Sequence, residues 1–64
     1  MNFAERLKTL IEKSDMNQKQ LSEVSGITEA AISRYLHGTR MPNMVALCKM
    51  KSALGCDWDE LIGE

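Results

Sequence analysis

The sequence predicts an all-α fold, a compact five-helix bundle in one domain spanning residues 1–64. Three observations carry that expectation. Apolar residues recur at helical spacing in five separate stretches. Each stretch is preceded by a residue suited to capping a helix: Asn2, Asn17, Thr28, Asn43 and Asp57. The hydrophobic content of 44% and the single proline suit a globular, largely helical chain rather than a disordered one. At 64 residues the domain is near the lower limit for folding without a staple.

The first helix is expected over Met1 to Lys13. Phe3, Leu7, Leu10, Ile11 and Ser14 fall on one stripe with Ala4 beside it, while Glu5, Arg6, Lys8, Glu12 and Lys13 lie mainly outside. Ser14-Asp15-Met16 is a short linker. Asn17 then caps the second helix, and Gln20 three residues on completes a capping box. Leu21 and Val24 supply its apolar i, i+3 pair, and Gly26 falls where the chain needs a residue that tolerates positive φ.

Thr28 opens the third helix, Thr28 to His37, and Gly38 closes it. Ala31, Ile32, Tyr35 and Leu36 share its inner side, with the Tyr35 hydroxyl long enough to reach outward. The opposite side carries Glu29, Ala30, Ser33, Arg34 and His37, the last a solvated position near the helix C-terminus that tolerates a cation. Pro42 favours an extended approach to the fourth helix, Met44 to Leu54, which Asn43 caps. Leu47, Met50 and Leu54 form its inward line and Gly55 its stop. Asp57 with Glu60 makes a second capping box for a short fifth helix, in which Leu61 and Ile62 point back to the core. Trp58 either lids the core or forms part of an interface.

Cys48 and Cys56 lie eight residues apart, with no CxxC and one histidine in the chain, a spacing that matches no zinc site. Free, mostly buried thiols and no metal are expected. No apolar run approaches a membrane span and the N-terminus lacks a signal-peptide pattern, so a cytoplasmic protein with no membrane association is expected. The sequence has no nucleophile–base or paired-carboxylate constellation around the histidine and no glycine-rich phosphate loop, which argues against an enzyme. So small a domain has no second domain to hold an effector, and neither a cofactor nor a small-molecule ligand is expected.

The stretch Asn17 to Gly38 organises the chain: two short helices joined by a tight turn, the second offering short polar side chains on its free face. The turn Gln18-x-x-Leu21-Ser22-x-x-Ser25-Gly26-Ile27-Thr28 and the segment Ile32-Ser33-Arg34-Tyr35-Leu36-x-Gly38 resemble the helix-turn-helix of the phage repressor/Cro family, the XRE family of regulators. The Gly38-Thr39-Arg40-Met41-Pro42-Asn43 connection and the Ala53-Leu54-Gly55…Asp59-Glu60-Leu61 ending match as well. The resemblance covers roughly Phe3 to Gly63. One position departs from it: Lys51 stands where the family usually carries a small apolar residue. Its stem must snorkel, or the fourth helix must sit slightly rotated.

The resemblance implies a lambda-repressor-like DNA-binding domain, with the helix-turn-helix at helices two and three and the third helix in the major groove of double-stranded DNA. Glu29, Ala30, Ser33 and Arg34 are the expected base-reading residues. Ala30 suits a thymine methyl, and Ser33 can donate or accept. Glu29 can accept from a cytosine amino group or merely stabilise the helix N-terminus, and Arg34 suits a guanine or a phosphate. Asn17, Gln18, Thr28, Thr39, Arg40 and Asn43 are the expected phosphate contacts, with Lys19 free to add charge. Family members of this size commonly pair through the fourth and fifth helices, which implies a homodimer with Trp58 at its interface. Dimerisation would set two reading helices roughly 34 Å apart on a near-palindromic operator. A repressor is the expected role. The alternative is a protein-interaction module, such as an antitoxin or adaptor, built on the same fold.

Net charge is −1, but its distribution suits nucleic acid better than its sum. Residues 1–56 hold all eight basic residues against five acidic ones, a balance of +3, and the other four acids fall in residues 57–64. A basic body can bind DNA if the acidic end points away. Few phosphates would be neutralised, so weak non-specific affinity is expected.

Overall fold

Four of the five helices begin at a side chain that accepts a hydrogen bond from their first turn. A computed structural model describes residues 2–63. The elements are α1 (Phe3–Lys13), α2 (Gln18–Ser25), α3 (Glu29–His37), α4 (Met44–Leu54) and α5 (Trp58–Ile62). The caps expected from sequence all stand at helix starts. Asn2 Oδ1 accepts from Glu5 N–H at 2.9 Å, Asn17 Oδ1 from Gln20 at 2.8 Å, Thr28 Oγ1 from Ala31 at 3.2 Å and Asn43 Oδ1 from Ala46 at 2.9 Å. Gln20 Oε1 accepts in return from Asn17 N–H at 3.0 Å, closing the capping box. At α5, Glu60 Oε1 accepts from Asp57 N–H at 3.3 Å. The expected helix start at Met1 and the acidic Glu64 lie outside the described residues.

Leu7, Leu21, Ile32, Met50 and Leu61 are the largest fully buried side chains, and each comes from a different helix. All five helices therefore share one core. α1 packs against α3 and α5, while α2 packs against α3 and α4. Leu10, Ile11, Ile27, Tyr35, Pro42, Ala46 and Cys56 are the other buried residues among those described. Burying each large side chain contributes about 1.5–3 kcal/mol, so a domain this small depends on every helix supplying one. Ser14 is the polar end of the α1 stripe, and its hydroxyl donates to the Leu10 and Ile11 carbonyls at 2.8 and 3.0 Å.

Several expectations are corrected. Val24 is 62% exposed, not paired with Leu21 in the core. α2 is eight residues long and buries only Leu21 fully, so a neighbour about 60° round the helix falls off the narrow buried stripe. Ile62 is 43% exposed, because α5 meets α1 along the single line of Leu61. The thiols are not both buried: Cys56 is, whereas Cys48 is exposed on the side of α4 opposite Ala46 and Met50. Lys51 follows the snorkelling alternative. It is half-buried, and its Nζ stands 5.5 Å from the centroid of the Trp58 ring.

Among the described residues no helix is long and apolar enough to cross a membrane, and no cluster of three or more His, Cys, Asp or Glu is arranged for a metal ion. Burial, reinforced by the Glu60 carboxylate, pushes the Cys56 thiol above its ordinary value.

Two outcomes are expected. Leu21→Ala should cost about 2–5 kcal/mol in denaturant unfolding, whereas Val24→Ala should stay within about 0.5 kcal/mol. A thiol reagent added to the native protein should label Cys48 at once and Cys56 only on unfolding, as peptide mapping would show.

Candidate nucleic-acid interface

The turn between α2 and α3 is held by short polar bonds. Gly26 adopts the left-handed conformation at φ 77° and donates its N–H to the Ser22 carbonyl at 2.9 Å, ending α2. The Ser22 hydroxyl donates to the Ile27 carbonyl, and Ile27 N–H donates to Ser25 Oγ at 3.2 Å. Ile27 is buried, so the turn is pinned to the core as well as to α2. Thr28 then caps α3 directly.

At about 100° per residue, Glu29, Ser33, His37 and Ala30 fall within one arc of α3, and Arg34 borders it. Glu29, Ala30, Arg34 and His37 are exposed and Ser33 is half-buried, while Ile32 and Tyr35 face the core. Tyr35 is 7% exposed, which makes it a core residue first. His37 is tied back to its own helix: its Nδ1 lies 2.7 Å from the Ser33 carbonyl oxygen and 3.3 Å from the Ser33 hydroxyl. His37 is exposed, as a solvated position near the helix C-terminus should be, and these contacts add a bond to its own helix.

The other candidates occupy helix termini and the α3–α4 connection. Asn17 and Asn43 spend their side-chain oxygens on capping, which leaves their amide N–H groups free to donate outward. Thr28 likewise keeps its hydroxyl hydrogen. Gln18 is half-buried at the first turn of α2, where unpaired backbone amides favour an anion. Arg40 is exposed. Thr39 differs, because its hydroxyl and its N–H both donate to the Arg34 carbonyl, at 3.2 and 3.0 Å. Its donors serve the end of α3. The packing of α2 against both α3 and α4 keeps these segments together, whereas α5, with Asp59 and Glu60, packs on α1. Glu60 lies 3.8 Å from Lys13 with both side chains exposed, a pair that contributes little. Trp58 belongs to that second side, 39% exposed.

A helix-turn-helix family model matches residues 7–61, nearly the whole chain. The chain belongs to the helix-turn-helix family, in its XRE-type branch. It is also similar to a solved structure, the restriction-modification controller protein C.AhdI from Aeromonas hydrophila. The two share 27% identity with a TM-score of 0.88 over 94% of this chain and 91% of that one. Comparison with curated proteins gave no significant match. The family and this neighbour make DNA-binding transcription regulation the function of the domain.

Within this helix-turn-helix domain, sequence reasoning gave no role to Ser22 and Ser25, the two hydroxyls that clamp the turn, or to the bond from His37 to Ser33. A serine four residues before the turn glycine was the available signal for Ser22. The signal for His37 was its i+4 spacing from Ser33. Ser22→Ala is expected to lower stability by about 1 kcal/mol through loss of its bond to Ile27. A Cβ on Gly26 would meet no atom within 4 Å, so Gly26→Ala should cost only the backbone strain of about 1–2 kcal/mol. Thermal unfolding of both variants checks these values.

Proposed function

We propose that this chain is a sequence-specific binder of double-stranded DNA that acts as a transcriptional repressor, as a homodimer on a near-palindromic operator. The observation that carries this reading is the outer face of α3. It offers Glu29, Ala30, Ser33 and Arg34 on a helix anchored from behind by Ile32 and Tyr35. A helix with one buried face and short hydrogen-bonding groups on the other suits the major groove. In this reading those four residues contact bases, while Asn17, Gln18, Thr28, Arg40 and Asn43 position the protein on phosphates. Thr39 is the weakest phosphate candidate, since its hydroxyl hydrogen is engaged. The acidic groups on α5 sit against α1, apart from that face, which removes the main electrostatic objection. A neighbour named as a controller protein supports a regulatory role over one in DNA packaging or repair.

The dimer reading draws on Trp58 and Ile62, which share a side of α5 at i, i+4 spacing and remain exposed. Exposed Met41, Met44 and Val45 favour a second reading, an adaptor or antitoxin that binds a partner protein. A partner that co-purifies at fixed stoichiometry, with no DNA shift at low salt, would support that alternative.

Selection of bound duplexes from a random pool at near-physiological salt tests the main reading, with inverted half-sites as the expected product. Arg34→Ala should weaken specific binding by about 1–3 kcal/mol if the guanidinium pairs a guanine; equal weakening on all sequences would assign it to phosphate. Sedimentation at micromolar concentration is expected to show a dimer that Ile62→Asp dissociates. A strict monomer, even with DNA half-sites present, would remove the dimer.

A further inference from the structure

His37 closes α3 on the side that leads directly away from the core. At about 100° per residue it points within about 10° of the direction opposite Ile32 and Tyr35, and it is exposed. One of its ring nitrogens is already committed. Nδ1 lies 2.7 Å from the Ser33 carbonyl oxygen, which only accepts, so Nδ1 carries a hydrogen. A neutral imidazole has a single N–H, and this bond uses it. The other neutral form, with the hydrogen on Nε2, would turn the Nδ1 lone pair toward that same oxygen. The Ser33 hydroxyl, 3.3 Å from Nδ1, does not alter this count. The outward nitrogen, Nε2, is therefore an acceptor on the neutral ring and a donor only on the protonated one.

What Nε2 would meet follows from its place along the helix. In helix-turn-helix docking the N-terminal residues of the second helix reach the base edges. His37 is the last residue of α3 and leads into the connection that carries Arg40, a proposed phosphate contact. A phosphate oxygen only accepts. We propose that His37 is a further phosphate contact made by the protonated ring alone, so that DNA binding takes up one proton from solvent onto Nε2. The proposal rests on the reading of α3 as the helix in the groove. The charged groups on the same side are Glu29 and Arg34 of α3 and Arg40 beyond it. α1 and α2 pack on the inner side of α3. Among the described residues the ion pair is Lys13–Glu60, so neither Glu29 nor Glu5, Glu12 and Glu23 of the packed helices holds the ring charged in the free protein. The duplex supplies that anion. Because the bound state favours the charged ring, affinity is gained as pH falls and lost as pH rises through the imidazole range, about pH 5–8.

Two measurements test the proposal. His37 is the one histidine of the chain, so nitrogen NMR of the free, full-length protein reads it directly. The neutral ring should hold its hydrogen on Nδ1. A hydrogen on Nε2 would let the neutral ring donate to phosphate and would overturn the proposal. The second measurement is anisotropy titration of a labelled duplex carrying the selected motif, and of a scrambled duplex, at about pH 6 and about pH 8. Wild type should bind both duplexes about tenfold more tightly at the lower pH, the low end for one hydrogen bond to a charged group. Its slope of log affinity on log salt should be steeper there by about 0.9, the value for one more phosphate contact. His37→Gln should bind alike at both pH values, and His37→Arg should bind tightly at both. A wild type indifferent to pH, or a pH dependence that survives in His37→Gln, would overturn the proposal and leave operator recognition intact. A pH dependence confined to the motif duplex would move Nε2 to a base and overturn the phosphate assignment. Failure to select a motif, with no binding of the scrambled duplex at either pH, would refute the groove reading itself and this contact with it.

Discussion

The direction in which α3 leaves α2 is set at Gly26, and the whole outer face of α3 depends on it. A left-handed residue reverses the chain within the length of one peptide, and Ile27 is drawn into the core immediately afterwards. The Ser22 and Ser25 hydroxyls satisfy the Ile27 carbonyl and N–H that this reversal takes away from helical partners. With the turn closed in this way, Ile32 and Tyr35 must point inward, and the residues between them are presented outward without any further device. Rigidity at the turn is thus transmitted to the exposed side chains through backbone geometry rather than through contacts of their own.

Helix capping links the stability of the domain to its proposed contacts. Asn17, Thr28 and Asn43 each use an oxygen to satisfy the first turn of a helix and retain a donor on the same side chain. A cap therefore arrives at its place already ordered, and a phosphate met there would not have to immobilise it. Such a domain needs few cations for positioning, in keeping with a net charge of −1 and with acidic groups gathered on α5 against α1. In the proposed reading, electrostatic affinity for DNA of arbitrary sequence would be correspondingly small, leaving more of the recognition to the face of α3.

Lys51 illustrates how one departure from the family pattern is absorbed. Its side chain is half-buried, and its ammonium stands 5.5 Å from the centroid of the Trp58 ring. The contact joins the end of α4 to the start of α5 and partly covers the tryptophan. The exposed remainder of Trp58, together with Ile62, is the surface through which a second copy is proposed to bind.

Much of the fold was legible because its determinants are local. Asn17 with Gln20, Thr28, Asn43 and the glycines at 26, 38 and 55 mark helix ends through bonds within a few residues, and each end lies where those residues set it. The choice of Leu7, Leu21, Ile32, Met50 and Leu61 as the buried centre was legible in the same way, as apolar positions at helical spacing. What the sequence could not determine was how wide a stripe each helix would bury. Val24, Cys48 and Ile62 have the composition of core residues and are exposed because the neighbouring helices cover only one line of α2, α4 and α5. The hydrogen bonding of the candidate site was equally out of reach. A serine and a histidine four apart are two ambivalent groups in sequence, and only the structure brings His37 Nδ1 to 2.7 Å from the Ser33 carbonyl oxygen. Caps and spacing are properties of one segment, so the sequence by itself determined them; burial width and hydrogen-bond direction depend on where atoms of other turns and other helices come to rest, and only the tertiary structure decided those.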